Sequence, residues 1–213
     1  FGSGPDRGSD GMSDTRKRGA ILISGRGSNM VSLLQAAQHE SFPVTFDLVV
    51  SDKIEAPGLS HASGVGIRTH ALRSCRDGRA AWEEELHAVL GEADIDLICL
   101  AGFMRVLSAD FVDRWSEQIL NIHPSLLPDF PGLDAQAQAL DAGVSEAGCT
   151  VHVVTAQMDA GPVLGQAVVP VQASDSVDAL SARILTEEHR LYPAMVAQYA
   201  QTFWATKDAA NAG

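Results

Sequence analysis

The chain is poor in cysteine. Cys75, Cys99 and Cys149 are its only three, widely spaced, with no CxxC and no Cys/His ligand pattern. This excludes a disulfide framework, argues against a zinc site, and fits reduced thiols in a cytoplasmic protein. Cys99, inside Ile98-Cys99-Leu100, reads as a small core residue. No apolar run approaches the roughly 18–20 residues of a membrane span. Positive charge is also scarce: Lys+Arg number 15 against 27 Asp+Glu, a formal net charge of -12. A general nucleic-acid binder needs clustered Lys and Arg, so that class is set aside. A small anionic ligand is not, because a helix N-terminus can hold phosphate locally. The chain opens on Phe1-Gly2-Ser3-Gly4-Pro5 rather than Met and has no signal-peptide core. Residues 1–17 are expected to be disordered, the first of them an expression remnant with Met12 as the native start.

What is present is an ordinary globular composition, 46% hydrophobic and 20% charged over 213 residues, enough for one domain over residues 18–207. Short apolar runs alternate with amphipathic segments. Strands are expected at Ala20–Ser24, Phe46–Ser51, Ile67–Leu72 and Asp96–Leu100, and helices at Asn29–His39, Pro57–Ser63 and Asp77–Gly91. This βαβα order implies an α/β, Rossmann-like open sheet, mostly parallel and twisted, with helices on both faces. The second half differs. A proline-punctuated loop is followed by a helix near Ala135–Ala142, then an antiparallel pair at Thr150–Thr155 and Pro162–Val171. A long helix from about Ser176 to Trp204 follows, with fraying expected after Lys207.

Two segments carry polar residues suited to chemistry. Ser24-Gly25-Arg26-Gly27-Ser28-Asn29 joins the first strand to the first helix, where free N–H groups can meet an anion. A dinucleotide fingerprint would need a third glycine where Met30 stands, and no Gly-Lys-Ser/Thr is present. A phosphomonoester suits the loop better than a pyrophosphate; a plain turn with Ser28 or Asn29 as helix cap is the alternative. In Asn121-Ile122-His123-Pro124-Ser125-Leu126-Leu127-Pro128, Asn121 and His123 project to one side of an extended segment that prolines keep out of a helix. An amide donor beside an imidazole is what acyl transfer requires, and a carboxylate such as Asp159 could orient that ring. The alternative is a strand end whose side chains satisfy loop backbone. His152 is a further candidate to line the same site, while Glu83-Glu84-Glu85 reads as a solvated helix face. Ala101–Leu107 is either an apolar slot for a flat ligand or a loop dropping into the core.

Together, Ile-Ser-Gly-Arg-Gly-Ser-Asn (23–29), Leu-Ala-Gly-Phe-Met-Arg-Val-Leu (100–107), Asn-Ile-His-Pro-Ser-Leu-Leu-Pro (121–128), Phe-Pro-Gly (130–132) and Asp-Ala-Gly-Pro-Val (159–163) resemble the phosphoribosylglycinamide formyltransferases, folate-dependent enzymes of purine synthesis. The resemblance spans nearly all of the chain after Arg18. It implies that the amine of glycinamide ribonucleotide attacks the formyl carbon of 10-formyltetrahydrofolate as co-substrate, without a metal. On matching positions, Asn121 would polarise the formyl oxygen, His123 would move the proton, and Asp159 would favour the imidazolium. Gly27, Ser28 and Asn29 would hold the phosphate and Glu188 the ribose. Arg79, Met104, Arg105, Val106, Leu107 and Asn121, with the loop Thr155, Ala156, Gln157, Met158 and Asp159, would contact the folate. One departure stands out: a His expected near position 134 is replaced in Leu133-Asp134-Ala135-Gln136. An ionised Asp134 cannot donate a hydrogen bond, and pointing inward it would oppose a phosphate.

The rival within the group is a 10-formyltetrahydrofolate hydrolase, which carries an extra N-terminal domain not expected here. A tRNA formyltransferase suits the acidity poorly, and a nucleotide-dependent oxidoreductase lacks its third glycine. A cytoplasmic, metal-free monomer or weak homodimer, free of nucleic acid and membrane, is the expectation.

Overall fold

The computed structural model describes residues 16–72 and 78–211. In chain order they form β1 (Lys17–Ile23), α1 (Ser28–Ala36), β2 (Val44–Ser51), α2 (Pro57–Gly64), β3 (Arg68–Ala71), α3 (Arg79–Glu92) and β4 (Leu97–Leu100). There follow α4 (Ala109–Arg114), β5 (Ile119–His123), α5 (Ala135–Asp141), β6 (Glu146–Val153), β7 (Val163–Pro170) and α6 (Val177–Asn211). The strands make one seven-stranded sheet of order β3-β2-β1-β4-β5-β6-β7. Strands β1 to β5 are parallel, and β6 and β7 run antiparallel. The α/β expectation, with its antiparallel segment and long final helix, agrees with this architecture.

Helices cover both faces, so the central strands are apolar on both. In β1, Ile21 and Ile23 join a core with Met30 and Leu33 of α1 and Ile184 and Val196 of α6. Ala20 and Leu22 join the opposite core with Trp82 and Leu86 of α3 and Phe111 of α4. A bulge sits in β2: Gly19 pairs with Phe46 but Ala20 with Leu48, leaving Asp47 extra. The side-chain parity flips there, so Phe46 and Val49 share one core while Leu48 and Val50 share the other. The strand order reverses at β1, whose successor β2 lies on one side and β4 on the other. The loops leaving β1 and β4 diverge at that point and open a crevice at the carboxyl edge.

Several boundaries move. Lys17, placed in the disordered segment by the sequence, is in β1 and bonds through its N–H to Pro43 O at 3.0 Å. The final helix continues through Asn211 instead of fraying after Lys207. β6 starts at Glu146, ahead of the expected Thr150, because Ala147 and Cys149 extend its apolar alternation into the core. Helix α4 had no counterpart in the sequence reading, since a six-residue helix is too short for a periodic signal. Asp77, the expected first residue of the third helix, and Cys75 lie outside the described residues.

Candidate active site

The loop after β1 is shaped for an anion. Gly27 takes a left-handed φ of 73° at the N-cap of α1, and no side chain caps the helix. The first helical bond there is Val31 N–H to Gly27 O, which leaves the N–H groups of Ser28, Asn29 and Met30 outside the ladder. Gly25 O turns away and accepts from Gly58 N–H at 3.1 Å. Met30, where a dinucleotide loop has glycine, is fully buried under the turn, and a Cβ on Gly27 would lie 3.1 Å from its Cε. No room remains for the close helix packing that a pyrophosphate loop uses.

Asn29 points inward. Its Nδ2–H donates to Glu188 Oε2 at 2.6 Å, joining α1 to α6, with the two residues 8% and 6% exposed. Burial pushes the Glu188 carboxyl above the usual carboxylate range, against the lowering effect of the Asn29 bond. Asn29 Oδ1 is buried with no partner. One turn beyond Glu188, the fully buried Tyr192 hydroxyl lies 3.0 Å from both Leu100 O and Leu120 O. It thereby ties α6 to the last residue of β4, just before the loop at Ala101, and to the residue of β5 that precedes Asn121.

That loop is fastened to the first one: Ser24 Oγ accepts from Met104 N–H at 2.8 Å, and Ser24 N–H donates to Gly102 O. Met104 and Val106 are exposed, and the Arg105 guanidinium sits 4.5 Å over the Trp82 ring, which stacks on Phe103. Glu83 corrects the expectation of a solvated acidic face. It is 7% exposed, accepts from Ser108 N–H at 2.7 Å and binds the Ser108 hydroxyl, which caps α4. A helical face with acidic residues at successive positions cannot reveal that one of them turns under a neighbouring loop.

The other half of the site is built across antiparallel strands. β5 and β6 pair Asn121 with His152 and His123 with Thr150. His152 is buried and held neutral, its pKa lowered first by burial and raised in part by its bond to Val153 O and by Asp159. Its Nδ1–H donates to Val153 O at 3.1 Å, so Nε2, 3.2 Å from Asn121 Nδ2, is an acceptor. This fixes the Asn121 amide with its nitrogen toward His152 and leaves its second N–H for another acceptor. His123, 6% exposed, lies with Nε2 3.0 Å from Phe130 O, and its Nδ1 is 3.6 Å from Asp159 Oδ2. Asp159 Oδ1 is 3.7 Å from His152 Nε2, and Oδ2 accepts from Gly132 N–H at 2.8 Å. One carboxylate therefore faces both imidazoles.

The proline loop is held by Thr150, whose hydroxyl donates to Ser125 O and accepts from Leu127 N–H and from Gln166 Nε2. The Leu127–Pro128 peptide is cis. Asp159 reaches its place because the chain turns sharply after it. Gly161 lies against β6 so closely that a Cβ would be 1.8 Å from Val153 O.

These parts surround one cavity of about 960 Å3. Ser28, Asn29, Glu188, Met104, Arg105, Val106, Leu107, Asn121, His123, Thr155, Ala156, Met158 and Asp159 all line it. Of the residues expected at a site, Gly27 and Gln157 are not on its wall. Gly27 shapes the turn, while Gln157 O accepts from the Thr155 hydroxyl. Arg79 lines a separate, smaller groove with Glu83, Ser108 and Arg114. His152 lines the cavity, and so do Ser181 and Leu185 of α6, which the sequence did not single out. Their helical spacing to Glu188 was the available signal. Asp134 is exposed at a left-handed φ of 57° before α5 and also lines the wall. Among the described residues, no group of three or more His, Cys, Asp or Glu stands close enough to hold a metal, and no helix is long and apolar enough to cross a membrane.

An amide donor, an imidazole and a carboxylate share one cavity with the turn after β1 on a doubly wound sheet, the groups that acyl transfer uses. The chain belongs to the formyl transferase family, whose model matches residues 17–196. It is 45% identical over 181 residues to phosphoribosylglycinamide formyltransferase of Escherichia coli K12, covering 84% of this chain and 85% of that protein. The solved phosphoribosylglycinamide formyltransferase of Brucella melitensis is 49% identical with a TM-score of 0.83, over 87% of this chain and 96% of that one. Similarity extends to the trifunctional purine biosynthetic protein adenosine-3 of Homo sapiens, 43% identical over 84% of this chain. The chain spans only 18% of that protein's length.

Proposed function

We propose that the chain transfers the formyl group of 10-formyltetrahydrofolate to the amine of 5-phosphoribosylglycinamide, giving formylglycinamide ribonucleotide and tetrahydrofolate. The observation that carries this reading is the convergence of Asn121, His123 and Asp159 on the cavity that also exposes the Ser28–Asn29 turn. The phosphate sits on the backbone N–H groups after Gly27, and the ribose meets Glu188. The pterin lies along Met104 to Leu107 near Asn121, with Thr155 to Asp159 as the facing loop. The groove at Arg79 takes the outer end of the folate.

In the reaction the amine nitrogen bonds to the formyl carbon, and the carbonyl oxygen gains negative charge. The Asn121 N–H left free by His152 stabilises that oxygen as the charge develops. As the bond to the folate nitrogen breaks, a proton must leave the attacking nitrogen and reach the departing one. With Nε2–H committed to Phe130 O, the Nδ1 of His123 is the nitrogen that exchanges it. Asp159, facing that nitrogen, stabilises the imidazolium as it forms. No nucleophilic side chain enters the scheme; positioning and electrostatics lower the barrier.

The test is a spectrophotometric assay of tetrahydrofolate release from 10-formyltetrahydrofolate with and without glycinamide ribonucleotide. Release that requires the nucleotide is expected. Equal release without it would make the chain a hydrolase. The chain is further proposed to act as a cytoplasmic monomer or weak homodimer, which sedimentation of the purified protein would check.

A further inference from the structure

The cavity is a poor place for a dianion. Among the described residues its wall carries Asp134, Asp159, Asp178 and Glu188 against Arg26 and Arg105, within a chain of formal net charge -12. Arg105 is held over the Trp82 ring, beside the Met104–Leu107 segment. The face of α6 opposite the anion turn contributes Asp178, Ser181, Leu185 and Glu188, with no cation. Backbone N–H groups supply only partial charge, about half an elementary charge at a helix N-terminus. A phosphomonoester entering here therefore lacks a full counter-charge unless Arg26 provides it.

Arg26 is built for that. It lies in the turn between Gly25 and Gly27, is exposed, and lines the cavity next to Ser28 and Asn29. Gly25 O is tied to Gly58 N–H, and Arg26 O lies toward the same Gly58, so the loop's carbonyls face α2. A second feature marks this end as a ligand site: Asn29 Oδ1, in a side chain more than nine-tenths buried, has no donor.

We infer that Arg26 is a substrate-binding residue: its guanidinium pairs with the phosphate of the ribonucleotide substrate while Asn29 Oδ1 accepts from a sugar hydroxyl. This deepens the functional reading above and rests on it for the identity of the nucleotide. The anion site itself stands on geometry and charge. Two consequences follow. Capture of the nucleotide weakens with ionic strength, since an exposed guanidinium is screened. The effect of Arg26 also falls on nucleotide binding and leaves folate binding alone, because the folate segment is served by Arg105, held over the Trp82 ring.

The experiment compares wild type, Arg26→Gln and Arg26→Lys. Isothermal titration with inorganic phosphate should show binding to wild type weakened roughly 10- to 100-fold in Arg26→Gln, the range of one charge-assisted contact, with partial recovery in Arg26→Lys. In steady state the KM for glycinamide ribonucleotide should rise by a similar factor in Arg26→Gln, with the KM for the folate unchanged. Equal phosphate affinity in wild type and Arg26→Gln, or none in either, would overturn the inference. If Arg26→Gln loses phosphate affinity while wild type releases tetrahydrofolate without any nucleotide, the anion site stands and the transferase reading falls.

Discussion

The two halves of the cavity are made by different means. On the β1–α1 side the ligand-facing groups are largely main-chain N–H groups, presented by a turn whose conformation rests on Gly27. On the β5–β6–β7 side they are side chains that meet only because antiparallel pairing brings Asn121 to His152 and a tight turn brings Asp159 to His123. The main-chain part of that half tolerates side-chain change so long as its conformation survives, and the Arg26 side chain is its exception. A side-chain-made site loses its function with one substitution although the fold survives. On the proposed function, the first half binds and the second half reacts.

The sharpest test of that contrast is His123→Ala, which should lower kcat by about two to four orders of magnitude with little change in either KM, as for a proton-transfer group. Wild-type-like kcat would break the comparison. Asp159→Asn comes next, with an expected loss of about one to two orders of magnitude, since the remaining amide cannot offset the imidazolium charge. An unchanged pH–rate profile would reject that coupling. Gly27→Ala should destabilise the fold by about 1–2 kcal/mol, the order expected for a side chain forced into left-handed backbone, read from denaturant unfolding. A loss under a few tenths of a kcal/mol would show that the turn relaxes. Ser28→Ala should change the KM for nucleotide by less than about threefold, because the N–H of residue 28 remains. A loss as large as that of His123→Ala would mean that the Ser28 hydroxyl, not its N–H, holds the ligand.

A pH scan probes the second half from another side. His152 and His189 both have pKa values lowered by burial below 6.5. The unfolded chain then binds more protons below about pH 6.5, so their contribution is intact above that pH and is lost as pH falls. Glu188 works in the opposite sense: its raised pKa costs stability above its folded value and relieves it on acidification. Replacing His152 with Gln should therefore flatten the fall in Tm between pH 7.5 and pH 5.5. An identical fall in the variant would show that His152 is not its source.

Much of this was legible in the sequence, for reasons that particular residues make plain. Apolar runs such as Ala20–Ile23 and Leu97–Leu100 form strands buried on both faces, which parallel sheets require. The turn at Gly27 was readable because a left-handed residue between strand and helix calls for glycine. Asn121 and His123 were readable as a pair because strand alternation places them together. His152 was harder: 31 positions away, it became a partner of Asn121 only through cross-strand register. Glu83 was misread because its bond to Ser108 spans 25 positions and leaves no local signature. Arg79 lines a groove of its own between α3 and α4, a placement set by how those helices pack and not by local pattern.

The sequence by itself determined the period of each element, the conformation of the anion turn and the presence of an amide and an imidazole on one strand. These are short-range consequences of sterics and burial, decided within a few residues. Only the tertiary structure decided which nitrogen of His152 faces Asn121, that Asp159 stands between two imidazoles, and that Tyr192 anchors α6 so that Glu188 reaches Asn29. Those facts depend on distances between side chains far apart in the chain, which packing sets to within an ångström and local pattern does not encode.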